Sequence, residues 1–262
     1  MSTFSGKALL GTCGWAYDDW NGVFYPESVS GRQRLEHYAQ HFSTVEIDAT
    51  FYAIPARTTV RGWRQRSPKG FIFSAKFPRE VTHQSRLVGC GEAAATFVDV
   101  MSELGDRLGT LLIQLPPSMT VSRFADLEHF LEGLPDGFSY AVEVRHRSWL
   151  IEPFAELLKR WNVALALTDG AHLKRFWRVT SQIVYIRWLG KWNAFEDYDR
   201  VQRSVDDDLD WWIPRMEHVL EKGATVLGYV NNNFAGYSPT VVESIEERLG
   251  AESLNVLDAS NN

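Results

Sequence analysis

Apolar and polar positions alternate along this chain in two distinct rhythms. Short aliphatic runs of period two, stopped by glycine, proline or aspartate, read as buried strands. Between them apolar residues recur three and four apart, as on one face of a helix. Strands are predicted at Leu9–Cys13, Thr44–Asp48, Phe71–Phe77, Leu111–Leu115, around Val142 and Val144, and at Val163–Asp169, Ile183–Leu189 and Ala224–Asn231. Helical stripes fall at Leu35, Tyr38, Ala39 and Phe42, at Val60 and Trp63, and across Ala93–Leu104, Arg123–Leu134, Ile151–Trp161, Leu209–Leu220 and Pro239–Leu249. Pro214 predicts a kink or a late helix start, because proline lacks the N–H that an interior helical position donates. Ala171–Ser181 is short and basic, so a reduced or missing helix is expected after strand six.

Eight such alternations in 262 residues, with no low-complexity linker, predict one α/β domain over residues 1–262, a single (β/α)8 TIM-type barrel. A doubly wound open sheet is the competing layout, but no Gly-x-Gly-x-x-Gly turn follows any strand. In such barrels the chemistry sits at the C-terminal ends of the strands. Those ends carry Thr12 and Cys13, Glu46 and Asp48, Lys76, Gln114, Glu143 and Arg145, Asp169, Arg187, and Asn231 and Asn232.

The most informative end is Tyr140–Trp149. Side chains alternate along a strand, so Glu143 and Arg145 share one face and Val142 and Val144 the other. Buried charges cost several kcal/mol unless paired or facing a ligand. Structural pairing is one account: Glu46 with Lys76, and Glu143 with Arg145 or Arg187. The other is a site. There, Glu46 and Glu143 come from well-separated strands and flank a ligand as acid and base, with Lys76 as a third catalytic candidate. Lys76, Arg145 and Arg187 would hold an anionic group. On this account Glu143 is under-paired. Trp15, Tyr17, Tyr52 and Trp149 are candidates for a wall against a ring. Asp48, His83, Gln114, Asp169, Asn231 and Asn232 complete the ligand set. Lys76 as a Schiff-base nucleophile would need burial to lower its pKa, which a neighbouring Glu46 would oppose.

Composition narrows the classes. A net charge of −6 argues against sequence-blind nucleic-acid binding, although residues 57–86 hold eight basic residues and one acid. Arg57, Arg61 and Arg64 have the spacing of a solvated helix face. No apolar run is long enough to span a bilayer, and the N-terminus has no signal-like run. Cys13 and Cys90 lie too far apart for a metal knuckle, and a reduced, cytoplasmic setting is the simplest account. A metal would have to recruit Glu46, Glu143, Asp169 and His83, His146 or His172 without HxH or HExxH spacing, so no cofactor is expected.

Ordered matches resemble the YecE-like family, the domain of unknown function seventy-two. They are Gly11-Thr-Cys-Gly-Trp15, Phe24-Tyr-Pro26, Val45-Glu-Ile-Asp-Ala-Thr-Phe-Tyr52, Lys76-Phe-Pro78, Gln114-Leu-Pro-Pro117, Ala141-Val-Glu-Val-Arg-His-Arg-Ser-Trp149, Thr168-Asp-Gly170, Tyr185-Ile-Arg-Trp-Leu-Gly190 and Asn231-Asn232. The resemblance implies a TIM-type barrel with a pocket lined by these motifs, and supplies no reaction. This chain has Asp48 where the family commonly has Asn, and Leu189 where it commonly has His. The expectation is an enzyme acting by acid–base chemistry on a small polar, anionic ligand of phosphate-, sugar- or nucleotide-like character. The alternative is a non-catalytic binding module for a nucleotide or nucleic-acid end, using the same aromatic and basic rim.

Overall fold

The structure, a computed structural model, describes residues 5–170 and 173–250. Eight parallel strands close into a barrel in sequence order: β1 Lys7–Cys13, β2 Thr44–Ile47, β3 Ile72–Lys76, β4 Leu108–Gln114, β5 Ser139–Glu143, β6 Ala164–Gly170, β7 Ile183–Gly190 and β8 Thr225–Val230. The ring closes where β1 pairs with β8, Lys7 opposite Thr225 through Thr12 opposite Val230. The helices are α1 Arg34–His41, α2 Arg57–Arg66, α3 Gly91–Met101, α4 Phe124–Glu132, α5 Glu152–Arg160, α6 Asp206–Glu221 and α7 Ser238–Arg248. Between β6 and β7 the described residues form no helix, as the short basic crossover predicts.

The alternation that marks the strands sorts two cores. Outward-facing residues such as Val45, Phe73, Ile113, Val142 and Ile186 pack under the helices in one large cluster. Inward-facing Leu9, Cys13, Leu112, Ala141, Ala166, Tyr185, Leu227 and Tyr229 fill the barrel in a second. Nor is the interior purely apolar. Tyr229 donates to Ser74 Oγ at 2.8 Å and lies 3.0 Å from Thr44 Oγ1, so three buried hydroxyls satisfy one another below the functional end. Gly11 is needed where Tyr38 crosses β1. A Cβ there would stand 2.0 Å from Thr44 O and 2.9 Å from the Tyr38 hydroxyl, which receives the Thr12 N–H at 2.9 Å.

One expectation is corrected: α6 begins at Asp206, eight residues before Pro214, and carries the proline inside it rather than starting late. The basic face of α2 is solvent-exposed, as its spacing predicts, and there Arg57, Arg61 and Arg64 pair with Asp99, Glu103 and Asp106 from α3 and the turn after it. That pairing leaves little of the 57–66 stretch for phosphates. Among the described residues no helix is long and apolar enough to cross a membrane, and both cysteines are free and buried.

Candidate functional site

At the C-terminal mouth the inward-facing charges from four strands meet. Arg187 of β7 is the hub, its side chain 2% exposed. Its Nε and Nη2 donate to Glu46 Oε1 of β2 at 3.0 and 2.6 Å, and its Nη1 donates to Glu143 Oε2 of β5. Tyr185, two residues earlier on the same strand, donates to Glu46 Oε2 at 2.5 Å. Arg145 Nε donates to Glu143 Oε1 at 2.7 Å. Both glutamates thus have both oxygens engaged, which a fully buried carboxylate requires.

This geometry replaces three expectations. Glu46 pairs with Arg187, not Lys76, and lies beneath the guanidinium, off the cavity surface. The two glutamates grip one arginine between them instead of flanking an open space. Glu143 is not under-paired. Burial alone would raise its pKa, but the Arg187 and Arg145 guanidiniums outweigh that and hold it at about 2. Burial does raise Glu46, with Asp48 adding to the rise and Arg187 opposing it. The two carboxyls are therefore pushed apart, with Glu143 the firmly ionised member.

Above this floor opens a cavity of about 620 Å³. Its β2–β5 side is charged: Asp48, Lys76, Arg79, Glu143 and Arg145 line it with His83 and Gln114. On the β6–β8 side the lining apart from Arg187 is uncharged: Thr168, Gly170, Leu173, Leu189, Gly190, Trp192, Asn231 and Asn233. Tyr52 and Trp192, each 73% exposed, stand at the lip.

The charged side is incompletely satisfied. Lys76 has a side chain only 11% exposed, yet its nearest carboxylate oxygen, Asp48 Oδ1, is 3.9 Å away. No described residue accepts a hydrogen bond from it, and its ammonium lies 4.1 Å from the centre of the Phe51 ring. Burial lowers its pKa, with Arg187 and Arg145 adding to the effect and Asp48 opposing it. Gln114 is 3% exposed and its Oε1 has no partner among the described residues. Such an unpaired buried amide costs about 1–3 kcal/mol unless a ligand completes it. His83 stacks edge-on against Phe51, ring centres 4.9 Å apart, and burial with nearby Lys76, Arg145 and Arg79 lowers its pKa to about 4. Thr82 Oγ1 lies 3.2 Å from Pro78 O and 2.9 Å from His83 Nδ1. If the hydroxyl proton goes to the carbonyl, Nδ1 carries the imidazole proton and Nε2 is left as a bare base.

Several sequence candidates sit elsewhere. Trp149 is fully buried: a short helical turn, Arg147–Trp149, swings it outward, where its Nε1 donates to Met119 O at 2.7 Å and its ring packs on Phe124 and Phe154. Trp15 packs edge-on against Trp63 and Phe73, and Tyr17 donates to Cys13 O. None of these three lines the cavity. Asp169 turns to the helix layer, binding Arg175 and the Trp212 Nε1. Asn231 Oδ1 caps the turn after β8 by accepting from Asn233 N at 2.9 Å. The turn sends Asn232 to the start of α7, where it accepts from Ser238, and presents Asn233 to the mouth. Gly190, with φ at +67°, makes this fit, since a Cβ there would lie 2.0 Å from Asn233 O.

Arg79, Trp192 and Asn233 were missed. Arg79 had a readable signal, three residues past Lys76 in the same basic loop; Trp192 and Asn233 had none beyond loop position. For a metal, Cys13, Glu46 and Asp48 offer ligand atoms within 4.8 Å of one another. Arg187 Nη2 already stands among them, 2.6 Å from Glu46 and 3.4 Å from Asp48. A metal would have to displace a guanidinium, so these residues do not fit one. His146 is spent capping its own turn, accepting from Ser148 N, and His172 lies outside the described residues.

Comparison with known proteins agrees with this architecture. The family model described as "Protein of unknown function DUF72" matches residues 9–262. UPF0759 protein YecE of Escherichia coli K12 is 36% identical over 137 residues, 52% of this chain and 48% of that protein. UPF0759 protein YunF of Bacillus subtilis 168 is 30% identical over 159 residues, 56% of this chain and 54% of that protein. The aligned stretches thus span about half the length of these curated relatives. A crystal structure of a family protein from Thermotoga maritima MSB8 superposes with a TM-score of 0.78 at 25% identity, over 93% of this chain and 99% of that one. One from Enterococcus faecalis V583 gives 0.76 at 19% identity, over 94% and 99%.

Proposed function

The chain belongs to the DUF72 family, and because that family's description names no reaction we propose one from the site itself: an enzyme acting by proton transfer on a small ligand that carries an oxyanion. One observation carries this reading. The buried carboxylates are consumed by Arg187, while Lys76, Arg79 and the Nη groups of Arg145 have no carboxylate within hydrogen-bonding distance among the described residues. An oxyanion is the complement such a wall lacks. Arg79 and Arg145 offer guanidinium forks for it. Gln114 reads a neighbouring polar group, and the neutral β6–β8 side takes the uncharged remainder.

His83 and Lys76 are the proton carriers. Both are depressed toward their neutral forms while the site is empty, and an anion placed among the cations would raise both. Proton uptake is thereby coupled to ligand binding. Glu46 and Tyr185 are positioning residues, acting through Arg187.

The test is an anion titration. Phosphate should bind weakly, more tightly at low than at high salt, with selenate anomalous signal between Arg79 and Arg145. Arg145→Gln should reduce affinity about tenfold, the value of one charge-assisted hydrogen bond. Selenate found only along α2, with none at the mouth, would overturn the reading.

A further inference from the structure

The same wall contains one feature that anion binding does not explain: an amine where a third guanidinium would serve better. Arginine stays charged and forks onto oxyanions, whereas lysine is the cation that can be unprotonated inside a protein. Lys76 sits where its charge is disfavoured. It projects inward from the end of β3, where burial, Arg187 and Arg145 work against the ammonium and Asp48 and Glu143 oppose them. The neighbour expected to keep it protonated, Glu46, is sequestered under Arg187, and Asp48 at 3.9 Å is too far for a hydrogen bond. Its nitrogen faces the ring of Phe51, and His83 packs on that same ring.

The geometry points to Lys76 as a nucleophile that condenses with the carbonyl carbon of a small aldehyde or ketone bearing a carboxylate or phosphate. This step rests on the oxyanion wall, because Arg79 and Arg145 must seat the acidic group for the carbonyl to reach Nζ. The unprotonated amine adds to the C=O carbon, and the π pair moves to oxygen. A proton shift from nitrogen to that oxygen gives the neutral carbinolamine. The carbinolamine hydroxyl then takes one further proton, relayed from solvent through His83, and leaves as water while the nitrogen lone pair forms C=N. Overall, amine, carbonyl and one proton give a protonated imine and one water, with no change of oxidation state. The imine draws electrons from the adjacent carbon, which is the chemistry a proton-transfer site can use.

The test needs no knowledge of the true substrate. The intact protein is incubated at pH 7 with pyruvate, or separately with glycolaldehyde phosphate, in the presence of cyanoborohydride, and digested for peptide mass mapping. The six other lysines are exposed. The reduced adduct should appear on the Lys76 peptide at least about tenfold above any other lysine, and excess phosphate should suppress it. The arm that labels distinguishes a carboxylate substrate from a phosphorylated one. Lys76→Arg should lose this adduct while labelling of the exposed lysines stays as in the parent. Labelling spread evenly over the lysines, or absent from Lys76, overturns the nucleophile. If phosphate still binds at the mouth in that case, the oxyanion reading stands alone. If neither adduct nor phosphate binding is seen, both fall.

Discussion

Two sets of charges share the mouth of this barrel, and they behave oppositely. In the floor, Glu46 and Glu143 have their carboxylate oxygens already engaged by Arg187 and Tyr185, with Arg145 on the second oxygen of Glu143, although Arg187 and Glu143 still border the cavity. In the wall, Lys76, Arg79 and Gln114 are left with donors and acceptors unused among the described residues. The comparison teaches that a buried charge at a strand end is not by itself a site marker. What separates scaffold from site is whether its hydrogen bonds are already made.

The largest expected effect comes from breaking the floor. Arg187→Met removes the cation shared by two fully buried carboxylates, which should cost about 3–5 kcal/mol and lower Tm by roughly 10 °C or more. Adding Glu46→Gln should recover part of the loss, because one stranded charge is then neutral. Thermal unfolding of both variants checks this. An Arg187→Met protein as stable as the parent would show that the floor is not self-contained.

The floor also shows what the sequence could and could not disclose. Alternation along β2, β5 and β7 places Glu46, Glu143 and Arg187 on inward faces, and the count of strands places them at one rim. Who pairs with whom depends on strand register around a closed ring, which brings β7 between β2 and β5 across the interior. Reading Glu46 beside Lys76 followed the chain order of neighbouring strands and missed that crossing. Trp149 and Asn232 failed for a different reason. Both follow a strand by only a few residues, and a single helical turn there redirects a side chain by far more than the two-residue period foresees. Arg79, Trp192 and Asn233 lie beyond the strand ends, where no strand period exists to place them.

The wall should respond to substitution in the opposite sense. Lys76→Met removes a charge the folded state disfavours and no hydrogen bond to a described residue, so stability should stay within about 0.5 kcal/mol or rise. Anion affinity should nevertheless fall several-fold. Paired measurement of Tm and phosphate binding separates these outcomes. A loss of stability comparable to that of Arg187→Met would make Lys76 part of the floor.

The smallest effect is the most specific, and it is read at His83. Its pKa is held at about 4 by burial and by Lys76, Arg145 and Arg79, with Glu143 the opposing charge. Between about 4 and the ordinary value of roughly 6.5 the unfolded chain binds a proton that the folded chain does not. His83 therefore withdraws stability as pH falls through that window and contributes nothing above it. Saturating phosphate should offset the three cations and raise the His83 pKa toward 6.5, shrinking the window. Imidazole NMR titration with and without phosphate, the resonance assigned by its loss in His83→Gln, reads the shift directly. A His83 that titrates near 6.5 in the free protein, or that ignores phosphate, would place it outside the field of the unsatisfied cations and detach it from the wall.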